Sequence, residues 1–186
     1  GLRQFCSIGT GVCPNQAFLT YQSRPFAADL ATWTVRGGRA VADKPQSFAV
    51  VQASQTAVLT DFCNECGNCA TFCPTAGRPY VDKPRLYAAK SEFEAQADNA
   101  FRITGKGAAR KIAGRFGGAT HTLAPKGTGW SYHAPGLTVE LDSKLQPVGA
   151  PQVSAPDGAA LSLVPAAVMT TLLRSIAPEQ LPVVAE

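Results

Sequence analysis

The chain has 186 residues, 45% of them hydrophobic, and its formal net charge at neutral pH is +4. This length fits one domain of ordinary size or two small ones. The sequence contains no apolar run near the roughly eighteen residues of a membrane span, and no signal-peptide pattern opens it. The mild positive charge does not favour nucleic acid as a partner, so we expect neither a nucleic-acid-binding protein nor a membrane-spanning one.

Short strands and turns are predicted for residues 17–60. Residues 17–21, 48–51 and 57–59 are strand candidates. Between the first two, Arg36 to Arg39 carry a Gly-Gly pair with apolar and β-branched residues on both sides, which predicts a hairpin with a tight turn. We expect no helix longer than about three turns in this part of the chain.

A short helix is predicted over 91–97, because Ser91 could cap its amino end and Glu94 follows three residues later. The composition shifts near residue 100. From there to about residue 156 the chain is rich in glycine, with short strand-like segments such as 137–141. This shift suggests that a second, smaller unit begins near residue 101.

The clearest helix prediction covers residues 166–176. Pro165 suits the first position of a helix, and Pro178 would end it. Val168, Leu172 and Ile176 would share one apolar face, and such a face normally packs against its own domain.

Six cysteines are present, and four of them fall within eleven residues. The run is Cys63, Cys66, Cys69 and Cys73, followed by Pro74, with the spacing C-x2-C-x2-C-x3-C-P. This is the bacterial ferredoxin-type run, in which closely spaced thiolates each bind a different iron of a 4Fe-4S cluster. The crowding argues against a secreted disulfide scaffold, so we expect a reducing compartment, the cytoplasm.

Zinc is the main alternative for these cysteines. Zinc sites normally use two cysteine or histidine pairs with a long spacer between them, which this run lacks. His121 and His133 are distant in sequence and isolated, and each is more typical of a surface or hydrogen-bonding histidine than of a ligand. A redox C-x-x-C motif also fits poorly, because the steps overlap and no βαβ pattern surrounds them.

A faint internal repeat relates residues 3–14 to residues 63–74. Shifting the cysteine run back by sixty positions places Cys6 opposite Cys66, and Cys13-Pro14 opposite Cys73-Pro74. Arg3 and Gly9 stand where the other two cysteines would be. The repeat indicates a two-cluster core that has lost two ligands, although Cys6 and Cys13 could equally be two unrelated buried cysteines.

The residues 63–74, together with Gly77-Arg-Pro-Tyr and Asp82-Lys-Pro-Arg-Leu-Tyr, resemble the carboxy-terminal iron–sulphur region of the family known as putative selenate reductases. These are flavin and iron–sulphur oxidoreductases related to the glutamate synthase small subunit and to dihydropyrimidine dehydrogenase. The resemblance covers roughly residues 1–100. It implies an electron relay beside a flavin domain, and the first residue, Gly1, agrees with the tail of a longer protein.

The expected fold is α+β. We predict a ferredoxin-type core in residues 1–100, with inserted strands at about 17–60, and a small glycine-rich α+β appendage with a carboxy-terminal helix in residues 101–186. In two-cluster ferredoxins the cysteine before proline binds the other motif's cluster. The repeat therefore predicts one 4Fe-4S cluster held by Cys63, Cys66, Cys69 and Cys13. Closure by the adjacent Cys73 is the alternative.

With Cys13 as the fourth ligand, Cys73 would face the vacant first site beside Cys6, and the two thiols would be free or joined as a disulfide. We also expect Phe62 and Phe72 to pack around the cluster and exclude water. The basic stretch from Arg102 to Arg115 is typical of a solvated surface, with an acidic partner as the alternative.

The expected function is electron transfer, with flavin and NAD(P)H on a partner flavoprotein domain or subunit and with other redox proteins as further partners. No catalytic site is expected on this chain. Two alternatives stay open: a structural or oxygen-sensing cluster in an interaction module, and an enzyme with its own substrate pocket in residues 104–186.

Overall fold

The structure is a computed structural model that describes residues 8–182, a mixed arrangement of many strands and a few helices. In the first hundred residues the strands are β1 (Phe18–Gln22), β2 (Phe26–Leu30), β3 (Thr32–Arg36), β4 (Arg39–Ala42), β5 (Gln46–Val50), β6 (Ser54–Leu59) and β7 (Arg85–Leu86). The helices there are α1 (Ile8–Val12), α2 (Asn68–Thr71), α3 (Pro79–Asp82) and α4 (Lys90–Glu94). The prediction of strands without a long helix over 17–60 is confirmed.

A run of longer strands follows, and then a helix. The strands are β8 (Ala100–Thr104), β9 (Lys111–Phe116), β10 (Ala119–Lys126), β11 (Gly129–Ala134), β12 (Leu137–Leu141), β13 (Gln152–Val153) and β14 (Ala160–Ser162). The helix is α5 (Val164–Ser175), with a proline near its amino end as predicted. Within residues 8–182, no helix is both long enough and apolar enough to cross a membrane.

Nine strands form the largest sheet, in the order β1-β6-β7-β8-β9-β10-β11-β12-β13. Strand β7 is parallel to both β6 and β8, and the remaining neighbours are antiparallel. Two smaller sheets have the orders β14-β3-β4 and β2-β5. The predicted boundary near residue 100 falls at the start of β8, inside the large sheet, and the two-part division remains a prediction.

The main hydrophobic core draws residues from both ends of the chain. Trp33, Leu59, Phe101, Leu123 and Leu172 are among its buried members. Helix α5 contacts β9, β10 and β5 and so joins two of the sheets. Burial of one apolar face of α5 against its own chain is confirmed for Leu172 and Ile176, which are almost fully buried.

Gly114 on β9 allows α5 to approach the large sheet closely. A Cβ atom built there would lie 2.8 Å from Met169 Sδ and 2.7 Å from the Phe116 ring. These separations are shorter than real Cβ contacts, so a larger residue at this position would require the Met169 and Phe116 side chains to move.

The hairpin predicted at Gly37-Gly38 is present as β3 and β4. Both glycines have positive φ, at 57° and 70°, as a tight hairpin turn requires. Asp157 holds the turn, because its carboxylate accepts hydrogen bonds from the Gly37 N–H at 2.9 Å and the Gly38 N–H at 3.0 Å.

These two bonds make a pH-dependent contribution to stability. The N–H groups of Gly38 and Gly37 lower the pKa of Asp157 below its ordinary value of 3.8. A carboxyl group whose pKa falls on folding stabilises the fold above its unfolded-state pKa, and this contribution is lost as the pH falls through the folded-state pKa.

We therefore expect Asp157→Asn to be less stable than the unsubstituted chain at pH 7, and the difference to shrink below about pH 3.8. Urea unfolding of both proteins at several pH values measures this difference. Val51→Ala, at an exposed position without an ionisable group, is the control, and its difference from the unsubstituted chain should not change with pH. A difference that stays constant down to pH 2 would contradict the assignment.

Candidate metal centre

The cysteine loop begins directly after β6, the strand next to β7 in the large sheet. A single 3-10 turn, Thr60–Phe62, leads from β6 to Cys63. The Thr60 hydroxyl donates to the Leu86 carbonyl at 2.7 Å, and the Cys63 N–H donates to the Thr60 carbonyl at 3.0 Å. These bonds tie the start of the loop to β7.

The loop then turns through two residues with left-handed backbone. Glu65 has φ 53° and Gly67 has φ 81°. Glycine adopts this conformation without steric cost, whereas residues with a side chain, such as Glu65, rarely do so. The second turn places Cys69 on α2, where it is 7% exposed.

Cys69 is the centre of a group of three thiols. Burial raises the pKa of Cys69, the backbone N–H of Tyr80 acts in the opposite direction, and interactions with Cys63 and Cys13 raise it further. Cys63 and Cys13 therefore both lie within electrostatic range of Cys69, although fifty residues separate them in the sequence. Two segments distant in sequence thus meet at one buried sulphur.

Cys13 reaches this position because α1 contacts α2. It follows the last residue of α1, and its N–H donates to the Gly9 carbonyl at 3.2 Å. Its sulphur accepts a hydrogen bond from the Ala17 N–H, at 3.4 Å between nitrogen and sulphur. Such an N–H···S hydrogen bond is typical of the cysteine ligands of iron–sulphur clusters.

Cys73 has a closely similar local structure but different partners. Its sulphur accepts from the Gly77 N–H at 3.3 Å and lies 3.3 Å from the Thr75 hydroxyl. Hydrogen bonds from Thr75, first from its side chain and then from its backbone, lower the pKa of Cys73, and the Gly77 N–H adds to this effect.

The two Cys-Pro segments share their backbone geometry. In each, the residue three positions after the cysteine has φ 52°, and its N–H donates to the cysteine carbonyl, at 3.2 Å for Gln16 and 3.1 Å for Ala76. In each, the next N–H donates to the cysteine sulphur. This agrees with the internal repeat inferred from the sequence.

The other predicted site residues lie as follows. Cys66 is exposed, at the turn between Glu65 and Gly67. Cys6 lies outside the described residues, so its predicted pairing with Cys73 stays a prediction. Phe62 and Phe72 are 49% and 59% exposed, and their packing around a cluster stays a prediction.

Sequence reasoning missed two contacts around the loop. The hydrogen bond from the Tyr80 N–H to Cys69 arises because α3 contacts α2, and no sequence pattern reveals a backbone donor. Tyr87 was also missed: its phenol interacts with the Glu65 carboxylate, and the Arg85 guanidinium lies 5.7 Å from its ring centre. The positive φ of Glu65 is equally invisible in the sequence.

Thiols are the donors that an iron–sulphur cluster would require. Within residues 8–182, no group of three or more His, Cys, Asp or Glu side chains could hold one metal ion. A cubane places different demands on its ligands, because each thiolate bonds to a different iron and the sulphurs are spread around the cluster. Soft thiolates with backbone N–H donors beside them are typical of iron–sulphur sites.

Comparison with known proteins gives one partial relationship. The chain is 43% identical over 49 residues to the protein described as "Putative oxidoreductase YgfK" of Escherichia coli K12, and a protein of the same description from strain O157:H7 matches equally. The matched segment is 26% of this chain and spans about 5% of the length of those relatives. Part of the chain is therefore similar to an oxidoreductase. No family model matches the chain, and no solved structure does.

Proposed function

We propose that this chain transfers electrons through one 4Fe-4S cluster bound by Cys63, Cys66, Cys69 and Cys13. The observation that carries the proposal is the contact between α1, which ends directly before Cys13, and α2, which carries the buried Cys69. Cys63 and Cys13 both interact with this thiol. Thiolates from two segments distant in sequence are the ligands that a ferredoxin-type cluster would require.

A bound cluster would supply reversible one-electron oxidation and reduction. The residues of this chain would set the reduction potential of the cluster. The N–H groups of Ala17 and Tyr80 donate towards sulphur and would stabilise negative charge on Cys13 and Cys69. Burial of Cys69 acts against charge accumulation on its side of the site.

Cys73 would be left out of the ligand set. The thiols that interact with Cys69 are those of Cys63 and Cys13, and the partners of the Cys73 sulphur are instead the Thr75 hydroxyl and the Gly77 N–H. Because its geometry repeats that of Cys13, Cys73 would be the relic ligand of a second, lost site. Closure of the cluster by Cys73 is the competing ligand set.

The similarity to an oxidoreductase supports a role as a module or subunit of a larger enzyme. A flavin on a partner domain or subunit would complement the cluster, since a flavin exchanges two electrons with NAD(P)H and a cluster takes them singly. Other redox proteins would be the further partners, and we place the whole in the cytoplasm, where thiolate clusters are protected from oxidation.

A redox titration tests this function against a structural or oxygen-sensing cluster. We expect the anaerobically prepared chain to be reduced and reoxidised reversibly, with one electron per cluster and no loss of iron. The isolated chain should not sustain NAD(P)H oxidation with an artificial acceptor until a flavoprotein is added. Irreversible loss of the cluster on reduction, or sustained NAD(P)H oxidation by the chain alone, would count against electron relay.

A further inference from the structure

A cavity of about 570 Å³ opens beside β7 and β8, outside the cysteine site. Its volume is in the range of pockets that hold small organic molecules. Part of its wall is apolar and is contributed by Leu86, Ile103 and Leu181. A substrate pocket within residues 104–186 is one of the alternatives left open by the sequence. This cavity is lined partly by those residues and partly by β7 and β8.

Three cationic side chains line the same cavity: Arg102, Lys106 and Arg110. The Arg102 Nε–H donates a hydrogen bond to the Ala88 carbonyl at 2.9 Å, and one terminal N–H of Arg110 donates to the Ile176 carbonyl at 2.8 Å. These bonds fix both guanidinium groups by one edge. A guanidinium has five N–H donors, so each keeps several for a ligand.

The side chains that line the cavity carry three positive charges and, among the described residues, no carboxylate. Carboxylates outside the lining interact with it: Glu179 with Arg110, Glu65 and Glu92 with Tyr87, and Asp61 with the Ala88 N–H. Burial lowers the pKa of Arg110, yet an arginine side chain keeps its charge in proteins. A half-buried cation without a full counter-charge gains most from an anion that excludes water as it binds.

We propose that this cavity binds a small organic carboxylate with an apolar or aromatic body. The guanidinium of Arg102, with Lys106 and Arg110, would receive the carboxylate, since planar forks of N–H donors match carboxylate geometry. The apolar body would lie against Leu86, Ile103 and Leu181.

Strand β7 connects the cavity to the start of the cysteine loop. Leu86 lines the cavity, and its carbonyl accepts a hydrogen bond from the Thr60 hydroxyl, three residues before Cys63. A ligand here would therefore lie next to the loop that holds the proposed cluster, the position that a small electron donor or acceptor needs. Only this last point rests on the proposed function, because none of the cationic residues is a cluster ligand.

Isothermal titration calorimetry of the full chain with 2-naphthoate tests the site, with the neutral isostere 2-naphthamide as the matched ligand. We expect naphthoate to bind with a Kd on the order of 1 mM or tighter, and naphthamide about tenfold more weakly or worse. Arg102→Gln should weaken naphthoate binding about tenfold, and Lys106→Gln, at an exposed position, about threefold. Lys44→Gln, on the exposed β4–β5 connection, should bind as the unsubstituted chain does.

The unfolding midpoint of each variant shows whether it is folded, and the Lys106→Gln result stands even if Arg102→Gln is destabilised. Equal affinity for the acid and the amide, or unchanged affinity in both pocket variants, would overturn the proposed site. Iron content is measured on the same samples. Binding without iron would leave the carboxylate site standing and remove the electron-transfer proposal, whereas iron without binding would do the reverse.

Discussion

Replacing Cys13 by Ser is expected to remove most of the iron from the chain, whereas Cys73→Ser is expected to leave it in place. The reason is the difference in their surroundings. Cys13 interacts with the buried Cys69, while the partners of Cys73 are Thr75 and Gly77. In ferredoxin-type runs, the cysteine before proline serves the other motif's cluster, which assigns Cys13 to the complete motif.

Iron content and the visible absorption of the cluster measure the outcome. Cys69→Ser is the positive control, because both competing ligand sets require Cys69. The two Cys-Pro segments have matching backbone geometry, so Cys13→Ser and Cys73→Ser are a matched pair that perturb the fold alike. Retention of iron in Cys13→Ser together with its loss in Cys73→Ser would show local closure and refute the pseudo-symmetric ligand set.

Replacing Leu172 by Ala is expected to lower the free energy of unfolding by about 2–5 kcal/mol, since it removes a buried side chain and leaves a cavity. Leu172 is fully buried on α5, the helix that contacts β5 as well as β9 and β10. The loss is a large share of the roughly 5–15 kcal/mol that stabilises an ordinary domain.

Urea unfolding followed by circular dichroism measures the change. Val51→Ala is the control, because Val51 is 80% exposed and its truncation should alter the free energy of unfolding by no more than about 0.5 kcal/mol. A cost below about 1 kcal/mol for Leu172→Ala would mean that α5 does not hold the sheets together as described.

Local chemistry explains which elements could be predicted from the sequence. The Gly37-Gly38 pair demanded a tight hairpin, and Pro165 with Pro178 bracketed the final helix, and both elements are present. The same reasoning would have found the β9–β10 hairpin, since Gly117 and Gly118 also have positive φ between antiparallel strands.

Elements that depend on distant partners were not predictable in the same way. Helix α4 begins at Lys90 after Ala89, with no side-chain cap, so the Ser91 cap was wrong. The nine-stranded sheet depends on β7, a two-residue strand whose sequence carries no periodic pattern. Its position is set by pairing with β6 and β8 rather than by its own residues.

The same distinction between local patterns and tertiary contacts applies to the candidate site. The spacing of Cys63, Cys66 and Cys69 can be recognised from the sequence, because ligand spacing is a local pattern. The approach of Cys13 was predictable only through the repeat, and the Tyr80 N–H and the Tyr87–Glu65 interaction depend on tertiary contacts that no motif encodes.

Iron and acid-labile sulphide analysis of the full chain, purified or reconstituted without oxygen, tests the central claim most directly. One cubane requires about four iron atoms and about four sulphides per chain, and electron paramagnetic resonance of the reduced protein should show a single cluster. About eight iron atoms per chain would contradict a single cluster, and zinc without sulphide would contradict an iron–sulphur centre altogether.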